Sequence, residues 1–241
     1  MKSQLSIAML VVTALSVGAT AKHHETKNNV LSDKEKKEGW KLLFDGKTMN
    51  GWNTWRTKKA VATDKWVVKD GMMTLTKGGG DIYTAEPYEN YELYLEWKTQ
   101  GNSGILIRVD PSTKGPIYGV APEVQIIPDG PKSLKSTSAG GLYALYEMKV
   151  KEKKINPKGW NSVRIRLVDG KGTHWFNGLK VYEYQIGSDE WKARVKTSKF
   201  KKKVDTFGMT AKGHIGLQDH GQSVSFRNVK IRVLESDKKK G

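Results

Sequence analysis

Between Gly39 and Leu234 the apolar residues recur mostly with a period of two. In Tyr91-Glu92-Leu93-Tyr94-Leu95-Glu96-Trp97-Lys98, one face collects Tyr91, Leu93, Leu95 and Trp97, and the other Glu92, Tyr94, Glu96 and Lys98. Trp66–Val68, Met72–Thr76, Ile105–Val109, Glu123–Ile127, Val163–Val168, Val224–Phe226 and Val229–Val233 are strands of the same kind. Asn177-Gly178 between His174-Trp175-Phe176 and Leu179-Lys180-Val181-Tyr182 predicts a two-residue hairpin, because both central residues of that turn need positive φ. Asp70-Gly71 predicts a second. No stretch of 11 residues or more carries a helical stripe, so the pattern predicts an all-β fold, an antiparallel two-sheet β-sandwich of about a dozen strands.

Strand parity also says which side chains leave the core. With Ile105, Ile107 and Val109 inward, Leu106 and Arg108 point out; with Val124 and Ile126 inward, Glu123 and Gln125 point out; Glu96 leaves the core by the same rule. If these three strands are neighbours, Glu96, Arg108, Glu123 and Gln125 converge on one open face. The same parity also suits a solvated ladder of ion pairs, the ordinary state of charges on an exposed sheet.

The chain ends read differently. Lys2, the apolar run Leu5–Val17 and the small-x-small Ala19-Thr20-Ala21 form a signal peptide over residues 1–21, which implies a periplasmic or secreted protein. The apolar run is shorter than the ~20 residues of a membrane span. Residues 22–38 are polar and aperiodic and are expected to form a flexible linker; His23-His24 there reads as solvated rather than metal-binding. The folded domain is expected over 39–234 and a mobile basic tail over 235–241. Among 241 residues there is no cysteine, which excludes disulfides, thiolate metal sites, a cysteine nucleophile and a lipoprotein anchor. Eight tryptophans, nine tyrosines and five phenylalanines must then build the core.

Lysine and arginine (42) exceed aspartate and glutamate (25), giving a net charge of +17. Nucleic acid is the first partner such a charge suggests. The lysines cluster at Lys149–Lys154, at Lys192–Lys203 and in the tail, without interleaved aromatics or a nucleic-acid motif, so no nucleic acid is expected. A weak attraction to anionic polysaccharide or the cell envelope is the alternative to a merely solvated surface.

A resemblance covers nearly the whole of the chain after the signal segment. Gly39-Trp40-Lys41-Leu42-Leu43-Phe44-Asp45-Gly46-Lys47 with Gly51-Trp52, Tyr91-Glu92-Leu93 with Glu96-Trp97, and Gly101-Asn102-Ser103-Gly104-Ile105 with Arg108 are similar, in order, to the secreted bacterial 3-keto-disaccharide hydrolase family, first catalogued as a domain of unknown function. Glu123-Val124-Gln125-Ile126, Gly159-Trp160-Asn161, Ser198-Lys199-Phe200, Gly213–Gly221 and Val224–Val229 continue the match. The resemblance implies a concanavalin-like jelly roll and cleavage of glycosides whose sugar carries a ketone at carbon 3. The ketone acidifies the proton on carbon 2, so a base can remove it, the aglycone can leave carbon 1, and water can add afterwards.

Such chemistry needs a base, a cation or donors facing the enolate oxygen, and an acid at the leaving oxygen. Glu123 or Glu96 is the candidate base and Arg108 the enolate partner. His220 is the candidate acid, since histidine exchanges protons near neutrality. Asn102, Gln125, Tyr94 and Asp219 are candidate sugar ligands, and Trp55, Tyr118 and Tyr143 further aromatic platforms. No cofactor is required by the sequence; a divalent cation held by Glu96, Glu123, Asp219 and His220 is left open. The glucanase motif E-x-D-x-x-E is not matched, since Glu123-x-Gln125-x-x-Pro128 lacks two of its acids. The non-enzymatic alternative is a carbohydrate-binding module of the same fold.

Overall fold

The structure is a computed structural model, and it describes residues 27–237. The expected signal peptide, His23-His24 and the last four residues of the tail lie outside the described residues. Among the described residues thirteen strands form two antiparallel sheets. The larger comprises β1 (Trp40–Leu42), β3 (Trp66–Lys69), β4 (Met72–Leu75), β6 (Tyr91–Thr99), β9 (Asn161–Val168), β10 (Lys171–Phe176), β11 (Leu179–Gln185) and β13 (Val224–Val233). Its order is β11-β10-β9-β6-β13-β4-β3, with β1 beside the far end of β13. The smaller runs β2 (Trp52–Thr54), β5 (Ile82–Thr84), β12 (His214–Leu217), β7 (Ser103–Val109), β8 (Glu123–Ile126).

The alternation in β6 resolves as expected: Tyr91, Leu93, Leu95 and Trp97 are buried between the sheets. They meet Ile105, Ile107, Val124 and Ile126 from the smaller sheet, with Trp52, Trp66 and Trp191 filling the same core. Both hairpin turns have the backbone the sequence demands, with positive φ at Asp70 and Gly71 and at Asn177 and Gly178.

Two features depart from the sequence reading. A nine-residue helix, α2 (Asp189–Thr197), is capped by Ser188 and buries Trp191 and Val195; with only two buried positions it carries no stripe long enough to see. The stretch expected to be a flexible linker is docked from Asn29 onward. Asn29 and Asn228 exchange hydrogen bonds, each backbone N–H donating to the other side chain at 2.6 and 2.8 Å, and the Asn29 amide donates to Gly71 O. Short helix α1 (Asp33–Lys37) follows, and its Glu35 pairs with Lys230 of β13. Asn29 has positive φ, as does Asn228 at a register shift in β13, so two asparagines in the conformation they tolerate best lock the arm to the sheet. At the other end Ser236 and Asp237 bond to Asp169.

Candidate active site

The smaller sheet turns a row of polar side chains away from the core. Tyr83, Gly216, Leu106 and Glu123 are partners across β5, β12, β7 and β8. One step along, Gln218 N–H bonds to Gly104 O, and Gly104 pairs with Gln125. Ile82, Leu217, Ile105 and Val124 lie in the core, so by alternation Asp81, Gln218, Gly104 and Gln125 share the outer face. Trp55, Tyr83, Leu106, Val109, Ile117 and Ala121 cover one end of that face with a small apolar cluster. The other end stays polar.

Glu123 is the centre of the polar end. Its carboxyl rests on Gly104, where any Cβ would overlap it, so a larger residue at 104 would have to push the glutamate out of this position. It is 5% exposed. Burial pushes its carboxyl up to about 7; the Lys199 ammonium opposes the rise and the Asp81 carboxyl adds to it. Burial likewise pushes Asp81 up to about 6. The Asp219 N–H, donating to Asp81 Oδ1 at 2.9 Å, works against that rise, the Asp219 carboxylate adds to it, and the charges of Arg56 and His220 oppose it. Both carboxyls therefore exchange protons far closer to neutrality than ordinary carboxylates do.

Lys199 approaches Glu123 from the segment after α2. Its Nζ stands 4.0 Å from the centre of the Tyr143 ring and 5.1 Å from those of Tyr118 and Phe200. The negative ring faces hold the ammonium in place. Burial lowers its ammonium from the ordinary lysine value, and Glu123 counters that fall. Tyr143 is fixed in turn by its N–H donating to Glu123 O at 2.7 Å. Asp219 is spent on the loops, its two carboxylate oxygens accepting from Gly80 N at 2.8 Å and Gly221 N at 2.7 Å. His220 is exposed beside this corner. Asn102 stands two residues before Gly104, its N–H donating to Gln222 Oε1.

Three expected members belong elsewhere. Glu96 and Tyr94 lie on β6, which sits between β9 and β13 in the larger sheet, so they face outward on the opposite side of the sandwich. There Tyr94 donates to Glu96 at 3.0 Å and Glu96 accepts from Arg227 at 2.6 Å, an ion-pair ladder of the ordinary kind. A cleft of about 710 Å³ between α1 and this face contains both residues, but its most buried acid, Glu92, is already paired with Arg164 and Arg232. Arg108 is displaced by a bulge. His214 pairs with Val109 and Gly216 with Leu106, so β7 carries one residue more than β12 across that interval. Arg108 adopts φ of 57° at the extra position. Val109 is thereby sent to the outer cluster and Arg108 inward, where Nη1 donates to Gly208 O at 3.1 Å and Tyr91 and Tyr184 are its electrostatic neighbours. Glu123, Gln125, Asp219 and His220 remain together, and Asp81 and Lys199 join them. Trp55 is buried in the apolar cluster rather than offered as a platform, while Tyr118 stays 40% exposed. Among the described residues no group of three or more histidine, aspartate or glutamate side chains is arranged to hold a metal ion.

Residues 39–232 match the 3-keto-α-glucoside-1,2-lyase-like domain. A protein of Bacteroides thetaiotaomicron called 3-keto-disaccharide hydrolase is 30% identical over 234 residues, covering 82% of this chain and 79% of its own. Two solved structures from Parabacteroides distasonis, both provisionally named glycosyl hydrolases, share the fold. One is 36% identical with a TM-score of 0.75, covering 87% of this chain and all of its own; the other is 27% identical with a TM-score of 0.62, covering 81% and 99%. With the family match spanning both sheets and every residue of the polar row, the chain belongs to the 3-keto-α-glucoside-1,2-lyase-like domain family.

Proposed function

We propose that this protein is an exported enzyme that cleaves 3-keto-glycosides by elimination across carbons 1 and 2 followed by hydration. The observation that carries the reading is the buried Glu123 carboxyl, lying on Gly104 between the Lys199 ammonium and Asp81. Glu123, once ionised, removes the proton from carbon 2. The electron pair moves into the ketone, and the negative charge on the oxygen at carbon 3 is met by Lys199, whose charge stays fixed by its three rings. The bond from carbon 1 to the aglycone oxygen then breaks, and that oxygen takes a proton from the corner formed by Asp81 and His220. In the hydration Glu123 returns a proton to carbon 2 while the deprotonated corner takes one from water, whose hydroxide adds to carbon 1, so both groups are restored and the sum is hydrolysis.

A sugar-binding module of the same fold has no use for a buried and a half-buried carboxyl whose values are both raised toward neutrality, which favours catalysis over binding alone. The deciding experiment incubates the purified protein with an aryl 3-keto-glucoside and with the matching unoxidised glucoside. Release from the keto compound alone is expected. Glu123→Gln should lower kcat by roughly 10²–10⁴-fold, the usual worth of a general base. Lys199→Met should lower it by about 10²–10³-fold, the worth of one oxyanion partner. Binding without release, or equal release from both glucosides, would refute the assignment. Export rests on the signal segment; detection of the protein in the periplasm or medium with an N-terminus at Lys22 is the expected outcome.

A further inference from the structure

Three of the buried side-chain atoms with no hydrogen-bond partner among the described residues are amide oxygens: Oε1 of Gln218 and Oε1 of Gln125, from the two positions that flank Gly104, and Oδ1 of Asn102, two residues before it in the chain. Gln218 and Gln125 are 5% and 4% exposed. Buried polar groups in folded proteins are almost always paired, because desolvating them without a partner costs stability that packing does not return. Folding alone gives no reason to set two unpaired glutamines on the same row.

Their spacing supplies one. Gln218 follows β12 and Gln125 lies on β8, with β7 and Gly104 between them. Neighbouring strands are ~4.8 Å apart, so the two amides rise from positions roughly 10 Å apart, and at Gly104 the strand between them contributes no side chain of its own. The Glu123 carboxyl lies on that glycine. An ionisable carboxyl is therefore flanked by two amides on one face of the sheet.

We propose that Gln218 and Gln125 form a seat for a single pyranose ring, each amide hydrogen-bonding a hydroxyl on opposite edges of the ring, so that one ring face is pressed toward Glu123. This rests on the keto-glycoside reading above and makes Gln218 a specificity residue. A hydroxyl both donates and accepts, so it satisfies an amide in either orientation. Holding the ring at two edges fixes the distance from the carbon 2 proton to the carboxylate, the condition for efficient proton abstraction. A site with buried groups built for hydroxyls also rejects rings that lack them.

The experiment is a cycle of side-chain and substrate deletions. An aryl 3-keto-glucoside and its 4-deoxy and 6-deoxy analogues are assayed with the wild-type protein, Gln218→Leu and Gln125→Leu, with Gln218→Ala as a second truncation. In the wild type at least one analogue should lose tenfold or more in kcat/KM. The corresponding leucine variant should lose a similar factor on the parent and nothing further on that analogue. The melting temperature of the free leucine variants should stay unchanged or rise, because the removed amide oxygens had no protein partner. Wild-type rates on the parent in both leucine variants, or losses that multiply independently in every cell of the cycle, would overturn the seat. Should the wild type fail to cleave the parent, the catalytic reading falls. The seat is then judged by calorimetry with methyl glucoside: tenfold weaker binding to Gln218→Leu upholds it, while equal or no binding overturns it.

Discussion

Replacing Glu123 with glutamine should lower turnover steeply and at the same time stabilise the protein above neutral pH. The folded-state value of Glu123, about 7, lies above the ordinary glutamate value of 4.5. A group raised in this way contributes its full stability below the unfolded value and loses it as pH climbs through the folded value. The difference of about 2.5 pH units, at 1.36 kcal/mol each, means that ionising Glu123 in the folded protein costs about 3 kcal/mol by pH 8.5. Glutamine carries no such cost. Removing the Glu123 charge also relieves Asp81, whose own carboxyl Glu123 opposes, so the effect has the same sign at both residues. Urea unfolding of wild type and Glu123→Gln at intervals from pH 4.5 to 8.5 is the assay. The gap between the two proteins should be smallest at the acid end and widen by about 3 kcal/mol at the alkaline end, which for a domain of this size is roughly 6–12 °C in melting temperature. A constant offset at all pH values would refute the raised value of the buried carboxyl and with it the tuned base.

The same electrostatics set the activity profile: kcat/KM should rise as pH increases through about 7, as Glu123 ionises. Lys199→Met should move that rise to higher pH by removing a cation, and Asp81→Asn should move it lower by removing a like charge, both read from pH–rate profiles of residual activity. Glu96→Gln should change turnover less than twofold, because Glu96 sits in an ion-pair ladder on the far side of the sandwich; a loss beyond tenfold would place the chemistry on the wrong sheet. Asn29→Gly keeps the positive φ but deletes the side-chain bonds to Asn228 and Gly71, and should cost about 1–3 kcal/mol in chemical denaturation with kcat unaltered.

Alternation made the strands legible, and Asn-Gly and Asp-Gly made two hairpins legible, because each rests on a local geometric rule. Glu123 and Gln125 were legible for the same reason, β8 being regular. Parity names a face but not a sheet, and that is why Glu96 was expected beside Glu123 although β6 and β8 belong to different layers. Arg108 was misplaced because one extra residue reverses everything after it, and an arginine at positive φ leaves no mark that a glycine would. Asp81 precedes a strand of three residues, too short to show a period, and Lys199 is hidden in a run of lysines where composition outweighs position. Gln218 follows β12 in a glycine-rich stretch, and only the burial of its unpaired oxygen distinguishes it.

The arm and β1 meet the last strand: Asn29 bonds to Asn228 and Trp40 pairs with Arg232, so chain segments almost two hundred residues apart close the larger sheet. A polypeptide emerging N-terminus first holds its opening segment without a partner until β13 has been made, and the search for so distant a contact is slow. A chain truncated before β13 is therefore expected to be cleaved faster than the full chain in limited proteolysis, because its arm and β1 have nothing to pair with.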